Sequence, residues 1–217
     1  MNKSGKNLGI KFGTMPVGSA CPATKYDIML RRLDDGLIGI LLTRPNLETG
    51  KKILKDVEYL DENSEKFIDL YFAGYSTEEH YPESKEVAEV DGTKWYFSNK
   101  KFKEFKKEIE KICKWKYSGE SDLILISCKE GKILYEEAMM FHLEKLIKEG
   151  VFGSVEEFFE ELVRICSEKR TIKEISNAFG AKKVKHTFLK IIVDKLPAGL
   201  GELFTQEKNF CVKNIAK

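Results

Sequence analysis

Two runs in this chain have no polar face. Leu37-Ile38-Gly39-Ile40-Leu41-Leu42 and Leu123-Ile124-Leu125-Ile126 place non-polar residues at successive positions. Side chains of a strand alternate between the two faces of a sheet, so a run of this kind is solvated on neither. A chain that carries two such runs is committed to a sheet covered on both sides.

The segments between and around these runs supply the covering layers. Tyr26 to Leu33 and Leu37 to Leu42 are joined by Asp34-Asp35-Gly36, and Asp-Gly is tight-turn chemistry, which predicts a hairpin. Thr43-Arg44-Pro45-Asn46 ends the second arm, and Ile53, Leu54, Val57 and Leu60 predict one amphipathic helix over Leu47 to Leu60. Phe67 to Tyr75 reads as a strand returning parallel to the first. Residues 76 to 93 hold six carboxylates against the single Lys85 and read as a mobile acidic excursion. Lys94 to Phe97 reads as a short strand. Ser98 or Asn99 then caps a helix with Phe102, Phe105, Ile109 and Ile112 on one face.

Asp122 to Cys128 is the second strand apolar on both faces. Lys129-Glu130-Gly131 turns it, Lys132 to Tyr135 pairs back, and a helix is predicted from about Glu136 to Lys148. Ser154 with Glu157, and Thr171 with Glu174, have the spacing of capping boxes at two further helix starts. Gly180 reads as a left-handed stop, and a third helix is expected over residues 182–195. The division is then an α/β domain over residues 1–149, with an irregular Gly-rich start, and a helical C-terminal subdomain with a loose tail over 150–217.

From residue 37 to 149 the order is strand, helix, strand, helix, strand, strand, helix, which gives an α/β fold with a mixed sheet. This order resembles the thioredoxin-like arrangement. The loop after the first strand, Thr43-Arg44-Pro45-Asn46, has no cysteine, and Ser118-Gly119-Glu120-Ser121 ahead of the later strand has no proline. The resemblance therefore implies that topology without the redox motif.

Several chemistries lack their residues. Lys and Arg number 37 against 35 Asp and Glu, a net +2, which excludes a uniformly basic nucleic-acid coat. Cys21, Cys113, Cys128, Cys166 and Cys211 form no Cys-x-x-Cys pair, so neither a zinc knuckle nor a dithiol centre is expected. Cys128 and Cys166 read as buried small hydrophobes. His80, His142 and His186 lie on different elements, none in a metal-ligand spacing, and no metal or cofactor is expected. His80 among Glu78, Glu79 and Glu83 reads as solvated surface, and His142 as a core-flanking side chain bonded to backbone. Gly5-Lys6-Asn7 is not a phosphate loop, and no Gly-x-Ser-x-Gly elbow exists. No signal-peptide core and no run of eighteen apolar residues is present, so a cytoplasmic location off the membrane is expected.

Three places carry functional expectations. Ligands of open α/β sheets collect beyond the carboxyl ends of parallel strands. Those ends are Thr43-Arg44-Pro45-Asn46 and Gly74-Tyr75-Ser76, so Thr43, Arg44, Asn46 and Tyr75 are the expected ligand residues. Arg44 beside a helix N-terminus suits an anion, or Arg44 pairs with a carboxylate while Asn46 serves as N-cap. Tyr71, Phe72, Tyr75, Tyr81, Trp95, Tyr96, Phe97, Trp115 and Tyr117 cluster as core and rim, or as a partner surface. Residues 169–195 carry eight basic side chains against two acidic ones, and Lys182, Lys183, Lys185 and Lys190 would meet phosphates if a helix-turn-helix formed there.

The expectation is therefore a non-catalytic binding or regulatory protein, with a protein partner and an anionic small ligand. The alternatives are a nucleic-acid-binding protein using the basic helices, and an enzyme on a nucleotide-like substrate with Asp69 as its internal acid.

Overall fold

A computed structural model describes residues 10–12, 36–64, 67–76, 82–90, 92–130, 132–169, 171–180 and 212–213. The elements are β1 (Ile10–Phe12), β2 (Gly36–Leu42), α1 (Glu48–Lys55), α2 (Val57–Ser64), β3 (Ile68–Phe72), β4 (Tyr75–Ser76), β5 (Lys85–Val90) and β6 (Thr93–Phe97). After them come α3 (Asn99–Ile112), β7 (Asp122–Lys129), β8 (Lys132–His142), α4 (Leu143–Lys148), α5 (Val155–Glu168), α6 (172–180) and β9 (Val212–Lys213). The described residues form a mixed α/β structure with two sheets.

The first sheet has the order β1-β3-β2-β7-β8-β9. β2 lies parallel to β3 and antiparallel to β7, and β8 returns antiparallel to β7. Leu37 to Leu42 and Leu123 to Ile126 are buried throughout, as the two apolar runs require. With β3 on one edge of β2 and β7 on the other, no edge remains for a hairpin partner. The expected arm from Tyr26 to Leu33 itself lies outside the described residues. So do the helix expected over 182–195, Tyr81, His80, His186, Cys21 and Cys211.

The parallel pairing of β2 and β3 brings Thr43 and Gly74-Tyr75 to one end of the sheet. Leu42 stands opposite Asp122, and Asp122 opposite His142. The start of β7 and the finish of β8 therefore arrive at that same end.

Three expectations are corrected. The helix expected over Leu47 to Leu60 is two helices parted at Asp56, a residue whose side chain competes for backbone hydrogen bonds. Its stripe survives the break, since Ile53, Leu54, Val57 and Leu60 are all buried. The helix expected from Glu136 is strand as far as His142. A register shift lies between Ile126 and Ser127 on β7, and across it the β8 partner changes from Ala138 to Leu134. The helix formers Glu136 and Glu137 fall inside that irregularity and are exposed. Beyond it Ala138, Met139 and Phe141 are buried opposite Ile126, Leu125 and Leu123. Pairing the backbone of β7 outweighs helix propensity, which amounts to tenths of a kcal/mol per residue. The acidic excursion, in turn, contains packed structure. β5 and β6 form an antiparallel hairpin, and β4 completes a second sheet in the order β4-β6-β5. Val87, Ala88 and Val90 pack against the core while Glu86 and Glu89 stay exposed, a half-buried strand.

The later helices share the core of the first sheet. α5 packs on α1 and α2. Phe158 of α5 meets Phe141 of β8 with ring centroids 5.0 Å apart, and Phe179 of α6 meets Phe141 at 5.1 Å. Ser154 Oγ accepts from the Glu157 N–H, and Glu157 reaches back to the Gly153 N–H. Thr171 and Glu174 form the reciprocal capping box in full. α6 is described as far as Gly180, and its stop lies outside the described residues. Among the described residues, no helix is long and apolar enough to cross a membrane.

Candidate functional site

The loop leaving β2 is held from beneath. Thr43 is fully buried, and its hydroxyl oxygen lies 2.7 Å from Ser121 Oγ. The Leu47 N–H donates to the Arg44 carbonyl at 3.1 Å and closes a turn over Pro45-Asn46. The N-cap position of α1 is Leu47, which has no side-chain cap, so Asn46 is an exposed turn residue and not the expected N-cap. Gly50 lets α1 approach this loop, because a Cβ there would strike the Arg44 carbonyl oxygen.

The Arg44 side chain enters an aromatic layer. Its guanidinium carbon is 5.1 Å from the Phe102 ring centroid and 5.9 Å from that of Tyr117. The layer continues as Phe102–Tyr117 at 5.4 Å, Phe97–Phe102 at 5.8 Å, Tyr75–Phe97 at 4.8 Å and Trp115–Tyr117 at 6.2 Å. These rings come from β4, β6, α3 and the segment ahead of β7. Tyr71, Phe72, Tyr75, Trp95, Phe97 and Trp115 are buried, so most of the aromatic cluster is core and not outer surface.

Among the described residues, five buried side-chain polar atoms have no hydrogen-bond partner: Arg44 Nε, Tyr75 Oη, Trp115 Nε1, Tyr117 Oη and Glu144 Oε1. All five belong to residues at this end of the sheet, and Tyr75 and Trp115 are almost wholly buried. An unmade hydrogen bond on a buried polar group costs about 1–3 kcal/mol, and native proteins keep few of them. Here they are concentrated at one place.

A satisfied network lies next to the orphans. Asp122 is buried, and its carboxylate accepts from the Ser118 N–H and the Ser118 hydroxyl, each at 2.8 Å. His142 Nδ1 lies 2.7 Å from the same carboxylate. His142 therefore has a carboxylate partner where a backbone one was expected. Ser118 bonds the carboxylate and not the imidazole, so the trio is not a nucleophile–base relay. Glu144, in the first turn of α4, takes the Ser121 N–H on Oε2 at 2.7 Å.

The electrostatics follow from burial. Desolvation pushes the Tyr75 hydroxyl well above the ordinary tyrosine range. Desolvation likewise raises Tyr117, to about 12; Arg44 pulls it down, and Asp122, Glu144 and Glu120 push it up. Both are therefore neutral donors at physiological pH. Below the ordinary tyrosine pKa of about 10 these shifts leave stability unchanged with pH. From there to about 12 the unfolded chain releases protons that the fold retains, so stability falls. Tyr75→Phe removes one orphan and one such proton. It is expected to stabilise the ligand-free protein by about 1–3 kcal/mol at neutral pH, and to reduce the alkaline loss. Urea unfolding at pH 7 and pH 11 checks both. A loss of stability at pH 7 would show that the hydroxyl is satisfied after all.

The other expected residues separate from this site. Asp69 is half-buried in β3. Glu83 accepts from Ser98 Oγ at 2.8 Å, and no group of His, Cys, Asp or Glu among the described residues could hold a metal ion. Cys113, Cys128 and Cys166 are buried thiols. Lys182, Lys183, Lys185 and Lys190 lie outside the described residues. Thr43, Arg44 and Tyr75 thus gather at the sheet end, joined by Trp115, Tyr117 and Glu144, which no motif in the sequence marks as ligand residues. No family model, curated protein or solved structure matches the chain.

Proposed function

We propose that the chain is a non-catalytic binding protein whose sheet mouth takes a small anionic group. Arg44 supplies the counter-charge, and Tyr75, Trp115 and Tyr117 supply neutral donors. One observation carries this reading: four buried donors without acceptors, at one end of the sheet. The order β3-β2-β7-β8 supports a thioredoxin-like arrangement in which the loop after β2 presents a guanidinium in place of thiols. Stacking on Phe102 and Tyr117 holds the guanidinium plane without using its N–H groups, so the fork stays available to an oxyanion.

The test is a thermal-shift and calorimetric titration of the full chain with acetate, benzoate and inorganic phosphate. At least one is expected to raise the melting temperature, by an amount that grows with the logarithm of its concentration above the dissociation constant. Arg44→Ala should weaken that probe by about ten- to a hundred-fold, since a charge-assisted hydrogen bond contributes about 1.5–3 kcal/mol. Arg44→Lys should restore part of the affinity, because it keeps charge but not the fork. Equal binding by wild type and Arg44→Ala, or no response to any of the three, would refute the reading.

A further inference from the structure

The mouth contains a second charge that an anion alone leaves unmatched. Glu144 has one carboxylate oxygen fixed by the Ser121 N–H at 2.7 Å, while Oε1 is buried with no partner. Ser121 ties that carboxylate to the loop of Arg44, because its hydroxyl oxygen lies 2.7 Å from that of Thr43, the residue before Arg44. Arg44 and Glu144 are therefore braced on one short chain of contacts, and each acts on the Tyr117 hydroxyl, with opposite sign. Arg44 Nε and Glu144 Oε1 nonetheless bond neither each other nor any other described group.

Two opposite charges braced on one chain of contacts, each with a buried atom left unpaired, are costly unless each is kept for a different group. An anion satisfies Arg44 and leaves Glu144 Oε1 orphaned and repelling the ligand. A cation does the reverse and leaves four donors unmatched. A molecule with a carboxylate and an ammonium satisfies both. We propose that the ligand is a free α-amino acid, with its carboxylate on Arg44 and the tyrosine donors, and its ammonium on Glu144 Oε1. This rests on the reading that the mouth binds an anionic group.

The full chain is screened by thermal shift with the twenty standard L-amino acids. The best binder is then compared by calorimetry with its des-amino acid and with the amine left by removing its carboxylate. The amino acid is expected to bind at least about ten-fold more tightly than either truncated molecule, since each loses a charge-assisted bond. Glu144→Gln keeps an acceptor for the Ser121 N–H but removes the charge. It should bring the amino acid down to the affinity of the des-amino acid, and leave the des-amino acid unchanged or tighter. The wild-type comparison needs no variant, so it stands even if Glu144→Gln folds poorly. Equal affinity for the amino acid and its des-amino acid, or no response to any of the twenty, overturns the zwitterion. Retained, Arg44-dependent binding of benzoate or phosphate would then leave the anion site standing. Loss of that binding as well would remove both.

Discussion

Asp122→Ala is expected to lower the unfolding free energy by about 1.5–3 kcal/mol, the scale of hydrogen bonds to a charged group. Asp122 is 1% exposed, and its carboxylate serves three groups at once: the Ser118 N–H, the Ser118 hydroxyl and His142 Nδ1. Alanine removes the acceptor of all three. The consequences extend to the mouth, because Ser118 follows Tyr117 directly and Asp122 follows Ser121. Loosening this turn lets the Tyr117 ring leave Arg44 and the Ser121 N–H leave Glu144. Asp122→Asn should fall between wild type and alanine, since an amide oxygen accepts one of the bonds while its NH₂ faces donors. Urea unfolding measures the loss. A change under about 1 kcal/mol for alanine, the scale of one ordinary hydrogen bond, would mean that water replaces the network and that the turn is held by its neighbours.

The elements legible in the sequence are those whose signal is local. Leu37 to Leu42 and Leu123 to Ile126 announce doubly covered strands because no alternation is present, and both are buried throughout. The caps at Ser98, Ser154 and Thr171 are legible because a hydroxyl and the N–H three residues on are neighbours in the chain. β8 is illegible for the opposite reason. Glu136-Glu137-Ala138-Met139-Met140 favours helix by propensity, and only the unpaired edge of β7 demands a strand. The β5–β6 hairpin does carry a local sign, Asp91-Gly92 between two runs, which is the same dipeptide that suggests a turn at Asp35-Gly36. The carboxylates of β5 mask it, although they sit on its solvent face.

The site divides in the same way. The meeting of Thr43, Arg44 and Tyr75 at one end of the sheet is legible, because they stand at the carboxyl ends of β2 and β3, and those strands are parallel. Asn46 follows the loop but turns outward, since the helix begins one residue later than a cap at that position would require. Trp115, Tyr117 and Glu144 come from a segment and a helix whose approach to Arg44 depends on the antiparallel return of β7 and β8. No spacing in the sequence encodes that approach.

Entry into the second sheet depends on Gly74. It has φ +81, and a Cβ there would lie 2.8 Å from Phe102 Cβ and 3.0 Å from the Ser98 carbonyl oxygen. Its own carbonyl accepts the Ser98 N–H at 2.9 Å, so the turn between β3 and β4 is fixed against the start of α3. Gly74→Ala therefore carries two penalties. The left-handed conformation costs an L-residue about 1–2 kcal/mol, and overpacking against backbone and a Cβ costs about 1–3 kcal/mol more. Together they predict a loss of about 2–5 kcal/mol. Gly92 separates the two effects, for it has φ +77 but nothing within 4 Å of the place a Cβ would occupy. Gly92→Ala should thus lose only the conformational part, about 1–2 kcal/mol. Urea unfolding of both variants gives the difference, and equal losses would show that α3 yields to the added methyl. If α3 holds, Tyr75 and Phe102 shift together in Gly74→Ala. Arg44 stacks on Phe102, so ligand affinity should fall along with stability, whereas Gly92→Ala should leave affinity intact.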